Sequence, residues 1–378
     1  MPRSARKSRN KNEQRNKLDA LLDWTSKQGR ILTAGGLANN FTPLSSFVPT
    51  DLPHHHLEDK STHAAFRDFK ARTGNRKNLV CGAWDRALFQ GAFEHSSNLE
   101  EAVFNIQTNT LFVDIRIPLL RDEIIKNNAS DTYPRRPDDV RILSRQHAFA
   151  GYTLQEYEAG RPVCTRHHCI DWNFVPNLSV PRSIPNRWWV QMDDTCNVWK
   201  EWAYGRDEHG QHYYCERWER LEDDCRGDGF VLALRKSEEC DRDGILVVVG
   251  NHFNYIHGRK SMFEEGAEKD STVNLVDKAI AEENMSLAES YLEVEAGHGK
   301  ISDDGSEWII DCCTLPWKEG TPFLRDNEEF YIEGNSIDTC FVKWKNERWD
   351  VFECSLNCVD ELRHIFCFIR TDPISSKL

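Results

Sequence analysis

The chain has 378 residues, 39% hydrophobic and 29% charged, with a formal charge of −13 and a mean hydropathy of −0.64. That is globular composition, and no apolar run approaches the ~18 residues of a membrane span. The first 17 residues set seven Lys and Arg against Glu13, so the remainder carries −19, a balance that argues against nucleic acid as a partner.

Residues 1–79 read as a basic disordered head followed by an irregular lead-in, with one short helix expected over 18–28, where Leu18, Leu21, Leu22 and Trp24 fall near helical spacing. The polar start has no apolar h-region, so no secretory signal is expected. The expected location is cytoplasmic, with the basic segment read either as a plain tail or as a nuclear or plastid address. Thirteen cysteines at irregular positions are then expected to be reduced thiols. His54, His55 and His56 read as exposed loop.

From residue 80 onward, short stretches rich in Val, Ile, Phe, Trp and Tyr recur between Gly, Asp, Asn and Pro signals. Strands are predicted over 110–117, 147–157, 163–174, 187–192, 197–205, 211–221, 230–236 and 245–256. Long helical periods are absent there, which excludes a parallel βαβ sheet and favours an antiparallel meander closed on itself. Residues 118–140 read as a charged insertion. An acidic, helix-forming linker follows over 261–284. A second β series is predicted over 290–301, 307–317, 328–335, 338–346, 348–356 and 361–371. The expected fold is all-β and mostly antiparallel: one barrel at 80–260, a smaller barrel at 285–378, and short helices at the N-terminus and in the linker.

Six of twelve tryptophans fall between 172 and 218, interleaved with charges. On the 211–221 strand, period two puts His212, Tyr214, Glu216, Trp218 and Arg220 on one face, and Tyr213, Cys215, Arg217, Glu219 and Leu221 on the other. Two readings follow. The Trp and Glu face lines a ligand pocket, or Trp and Arg form a ladder on the outside. In Cys164-Thr165-Arg166-His167-His168-Cys169, strand alternation splits the four candidate ligands across two faces, so no metal is expected. There is no Gly-x-Ser-x-Gly and no phosphate loop, and no cofactor is implied. His147, His167, His168, Asp171, Glu201 and Glu216 are the candidates for acid–base chemistry. Asp114 and Arg116 read as a structural ion pair or a rim contact.

Gly82-Ala83-Trp84 resembles the lipocalin motif in which a tryptophan closes one end of the barrel and an arginine from a later strand packs over it. The ordered series LFVDIRI, HAFAGYT, IDW, VWKEW, CERWERL and DGILVVVGNHFNYI is similar to the fungal Hri family over about residues 105–256. The best-matching positions are Arg116, Phe149, Ala150, Gly151, Trp199, Glu216, Trp218, Gly244 and Gly250. The resemblance implies two lipocalin-like (calycin) barrels, a protein partner of the kinase class, and no assigned activity.

The leading expectation is an intracellular, lipocalin-like protein that binds a small, largely apolar or aromatic ligand in its first barrel. Trp172, Trp189, Trp199, Trp218 and Tyr214 would supply stacking walls, and His168, Glu216 and Arg116 would orient polar groups. The alternatives are a cofactor-free isomerase, cyclase or lyase on the same barrel, and a ligand-free protein-interaction module.

Overall fold

Along Leu111–Pro118, Phe112, Asp114 and Arg116 point one way and Leu111, Val113, Ile115 and Ile117 the other, and all except Arg116 are fully buried. A strand covered on both faces needs a second layer outside its own sheet. The computed structural model supplies that layer. It describes residues 77–91, 101–119, 121, 136–172, 186–203, 214–222, 224, 229–237, 239–260, 272–324 and 330–367. The helix expected over 18–28, the rest of the lead-in to residue 76, and residues 120 and 122–135 of the 118–140 insertion lie outside the described residues.

Eight antiparallel strands close into a barrel in chain order: β1 (Gly82–Gly91), β2 (Glu101–Gln107), β3 (Leu111–Pro118), β4 (His147–Glu158), β5 (Arg161–Asp171), β6 (Asn186–Met192), β7 (Val198–Ala203) and β8 (Tyr214–Arg220). β8 pairs back onto β1 from Trp84↔Arg220 to Gly91↔Tyr214. The strands β1 and β2 were not expected from the sequence, because neither segment alternates cleanly. A bulge at Cys169 lets β5 cross Gly151 closely; a Cβ at Gly151 would collide with the His167 carbonyl.

The second sheet also has eight strands: β9 (Val231–Lys236), β10 (Gly244–Val249), β11 (His252–His257), β12 (Glu295–Ile301), β13 (Trp308–Cys313), β14 (Phe330–Glu333), β15 (Phe341–Trp344) and β16 (Glu347–Cys354). Their order is β13-β12-β11-β10-β9-β16-β15-β14. Two expectations are corrected here. Strands 230–236 and 245–256, read as the end of the first barrel, pair in the second sheet. That sheet has as many strands as the barrel, and among the described residues β13 and β14 stand at its ends without pairing to each other.

The physical reason is legible in the packing. Every residue of β9, β10 and β11 is buried. Ala233, Ile245, Val247, Val249 and Ile256 face the outer wall of the barrel, against Ile106, Val113, Ile115 and Ala150. Leu232, Leu234, Leu246, Val248, Phe253 and Tyr255 face a separate core with Trp308, Phe323, Trp344 and Trp349. A strand buried on both faces shows no clean alternation, and its sequence does not say which neighbour it pairs with.

Three helices cover the seam: α1 (Pro137–Ser144), α2 (Thr272–Ala281) and α3 (Met285–Ser290), with Leu275, Val276, Ala279 and Ile280 of α2 in the shared core. Polar groups stitch the two layers. The Asn254 amide donates to the Phe104 and Val113 carbonyls at 3.2 and 2.9 Å. Its oxygen then faces His298 Nδ1 at 2.7 Å, and the His298 ring stacks on Phe104 at 3.9 Å. The Glu353 carboxylate accepts from the backbone and side chains of Asn109 and Thr110 at 2.7–3.3 Å, clamping the β2–β3 turn to β16.

Residues 361–371, expected as a strand, instead fall largely in α4 (Val359–Cys367). Val359, Leu362 and Phe366 share one helical face and enter the second core, and Glu361 reaches back to the Asn357 N–H.

Candidate functional site

One end of the barrel is closed by Trp84. Its indole N–H donates to the Val80 carbonyl at 2.9 Å, and the Arg220 guanidinium lies 4.1 Å from its ring centroid. Arg220 is fixed in turn by Asp224 and by the Cys196 carbonyl, and Asp224 also accepts from the Ala83 N–H. Gly82 has φ +150°, and a Cβ there would run into the Arg220 guanidinium. The spacing Gly82-x-Trp84 thus does two things: it admits the strand start and places the ring under the arginine.

Alternation sends one residue in two from each strand inward. Above Trp84 the lumen is aromatic. Trp199 and Trp218 sit cross-strand and stacked, 5.5 Å apart and 8° from parallel, and Trp84 meets Trp199 edge-on at 6.0 Å. Val103, Cys164, Trp188 and Val190 complete that cluster. On the outside of the same strands, Lys200 and Arg217 are exposed, and Arg217 pairs with Glu219. The Trp and Glu face of β8 is therefore the inner one.

Beyond the tryptophans runs an alternating chain of buried charges. Glu101 pairs with Arg86, Arg86 with Glu216 at 2.9 Å, and Glu216 with Arg116 at 3.2 Å. Arg116 pairs with Asp114 at 2.8 Å, and Asp114 with Arg166 at 3.2 Å. Burial opposes ionisation of Asp114, yet Arg116 and Arg166 together hold its carboxyl below the usual range. Burial likewise disfavours the charge on Arg116, but Asp114 and Glu216 raise its pKa well above the ordinary value. For Glu101, burial prevails over Arg86 and pushes the pKa up.

Arg166 ends the chain in an aromatic setting, its guanidinium 4.3 Å from the Phe112 centroid, 4.9 Å from Trp188 and 5.9 Å from Phe149. His168, on the same face of β5, stacks on Phe149 at 4.5 Å and faces Asp171 through Nδ1 at 2.5 Å. Several buried polar atoms of this lumen have no hydrogen-bond partner among the described residues: both amide atoms of Asn105, Nε and Nη2 of Arg166, Oε2 of Glu216, and the indole nitrogens of Trp188, Trp199 and Trp218.

The residues singled out from sequence divide as follows. Trp199, Trp218, Glu216, Arg116 and His168 share the lumen. Trp172 does not: it lies in the core between the barrel and the second sheet, donating to the Ser144 carbonyl at 3.0 Å. Trp189 is half-buried on the outer face, across from Trp202. Tyr214 is placed by its backbone on β8, and its side chain lies outside the described residues. The Asp114 and Arg116 pair is an ion pair inside the barrel. Sequence reasoning missed Trp188, Asn105, Arg86, Glu101 and Arg166. For Trp188 the signal was present but ambiguous, since adjacent tryptophans occupy both faces. In the 164–169 segment, Cys164 and His168 face the lumen, His167 points outward and Cys169 sits at the bulge. Among the described residues no group of three His, Cys, Asp or Glu is arranged to hold a metal. The eleven described cysteines are free thiols. No helix among the described residues is long and apolar enough to cross a membrane.

No protein-family description matches the chain, and no curated protein matches it. Among solved structures it is similar to an uncharacterized protein, YLR301w, from Saccharomyces cerevisiae, at 13% identity and a TM-score of 0.44, covering 72% of this chain and 98% of that one.

Proposed function

We propose that the β1–β8 barrel holds a small, largely apolar or aromatic molecule against Trp188, Trp199 and Trp218, with Arg166, Asn105, Glu216 and Arg116 orienting its polar groups. The observation that carries this reading is the set of eight buried lumen atoms without partners. Leaving such an atom unsatisfied costs ~1–3 kcal/mol, so each favours an occupant able to hydrogen-bond to it. A hydrogen-bonding occupant removes that penalty, and stacked indoles suit a flat apolar body.

The interaction-module alternative has less support. The exposed large apolar side chains among the described residues, Leu88, Leu119, Tyr157, Trp317 and Tyr331, sit on five separate segments. Acid–base chemistry on the same barrel is favoured by one feature, the His168 and Asp171 pair beside Phe149, an arrangement that orients an imidazole. The Hri likeness stands on the sequence motifs, and the closed Trp84 and Arg220 end accords with the lipocalin-like reading. A cytoplasmic location, with residues 1–17 as a nuclear or plastid address, accompanies the proposal; deleting them in a fluorescent fusion should redistribute the protein if they are an address.

The test is native mass spectrometry of the full chain purified from its own host, followed by denaturing extraction. A small molecule that co-purifies, and quenches tryptophan fluorescence when added back, is the expected result. A chain of bare mass whose tryptophans are unquenched by host small-molecule extract overturns the proposal.

A further inference from the structure

The charge chain in the lumen begins with a carboxylate and ends on a guanidinium: Glu101, Arg86, Glu216, Arg116, Asp114, Arg166. Each inner member touches two opposite charges. Arg166 touches one, through Nη1, and Asp114 is itself shared with Arg116. The chain balances three carboxylates against three guanidiniums, and Arg166 is the guanidinium with a single counter-charge contact, its side chain only 2% exposed.

The open atoms of Arg166 are Nε and Nη2. These two N–H groups point in parallel from one edge of the planar guanidinium, the fork that matches the two oxygens of a carboxylate. Trp188 and Phe112 pack against the guanidinium, and the indole N–H groups of Trp188, Trp199 and Trp218 add further open donors. The lumen also holds acceptors: Asn105 Oδ1, Glu216 Oε2 and the buried carboxylate of Glu201, across from Glu216 on β7. At the Arg166 end, however, an amine would meet a guanidinium of its own sign.

We infer that the barrel takes a small carboxylic acid with an apolar, preferably aromatic, body, its carboxylate seated on the Nε and Nη2 edge of Arg166. The inference rests on the ligand-binding reading above and names the chemistry of that ligand. A bound carboxylate continues the alternation by one member, and its ring lies toward the Trp188, Trp199 and Trp218 cluster. Arg166 is then the residue that selects acids over their neutral analogues.

The experiment uses three probes with one ring system: 2-naphthoate, 2-naphthamide and 2-naphthylmethylamine. Each is titrated by equilibrium dialysis into the full chain stripped of bound material and into Arg166→Lys and Trp188→Phe variants. The expected result is naphthoate bound at least tenfold more tightly than naphthamide, with the amine weakest. In Arg166→Lys, which keeps the charge but loses the fork, the preference for naphthoate over naphthamide should fall to within about threefold in that same variant. In Trp188→Phe both should weaken together. The acid-to-amide ratio of the unaltered protein needs no variant to fold. If the amide or the amine binds as well as the acid, the inference is overturned while the ligand-binding reading survives. If no probe binds at millimolar concentration, both are overturned.

Discussion

Asp114→Asn perturbs the centre of the buried charge chain with almost no change of shape. Asp114 is fully buried, accepts from Arg116 at 2.8 and 3.4 Å and from Arg166 at 3.2 Å, and its carboxyl is held below the usual range. It is therefore ionised at neutral pH, and the asparagine leaves two guanidiniums short of a counter-charge inside the barrel. At an effective dielectric of about 20, unit charges ~4 Å apart interact by about 4 kcal/mol. Two such contacts, set against the desolvation that the carboxylate no longer suffers, leave a net loss of about 3–5 kcal/mol, the usual cost of stripping one partner from a buried pair. Urea unfolding followed by tryptophan fluorescence should show the midpoint fall with the slope preserved. Adding Arg116→Met to Asp114→Asn removes one stranded cation, so the double variant should be more stable than the sum of the two single losses predicts, by at least 1 kcal/mol. A single-variant loss under about 1 kcal/mol, or additivity within ~0.5 kcal/mol, would mean that water already screens these charges, and the reasoning about a dry, coupled lumen would fail.

Three further outcomes are expected. Burial holds His298 and His257 well below the ordinary imidazole value of 6.5, so the folded state keeps them neutral while the unfolded chain takes up protons below that value. Their contribution is therefore present above pH 6.5 and lost as pH falls below it, by about 1 kcal/mol per histidine between pH 7 and 5.5; His298→Asn should reduce that fall, and an unchanged pH slope would refute it. Gly82→Ala forces a side chain into positive φ and against Arg220; a loss of ~2–3 kcal/mol is expected in thermal unfolding, with Ala87, exposed on the same strand, mutated to Ser as a near-neutral control. Glu353→Ala frees the β2–β3 turn from β16, and hydrogen exchange at Asn109 and Thr110 should accelerate at least tenfold while β6 and β7 stay protected.

Sequence periodicity placed β3 to β8 in hairpin order, because turn residues and period-two alternation are local, but it missed β1 and β2 and read β10 and β11 as one strand. It did not reveal which sheet β9–β11 join, because pairing is a long-range choice and all three strands are buried on both faces. It placed Glu216 and Trp218 on one face but left open whether that face is inside. The reason is visible on β8: Glu216 and Trp218 alternate with Arg217 and Glu219, and polarity is similar on both sides. Arg166 was hidden among four metal-like neighbours, and Asn105 in a segment with no strand signal. For Arg166 the meaning comes from what β3, β4 and β6 place against it. The C-terminal segment failed differently. Its Phe and Ile residues suit a strand, while Val359, Leu362 and Phe366 suit a helix, and the neighbouring core decided between them.

The β9–β11 layer belongs to two cores at once, and that makes the molecule hard to divide. A fragment ending before Val231 would display Ile106, Val113 and Ile115 to solvent, and a fragment beginning there would display Ile245, Val247 and Val249. Neither piece should survive as a soluble product when expressed separately, and the two should recover only when co-expressed. Mutational damage in β10, on the far side of the barrel wall, should accordingly be felt in the lumen as a loss of rigidity, so that substitutions there change the fluorescence of Trp188, Trp199 and Trp218 without touching anything inside the barrel.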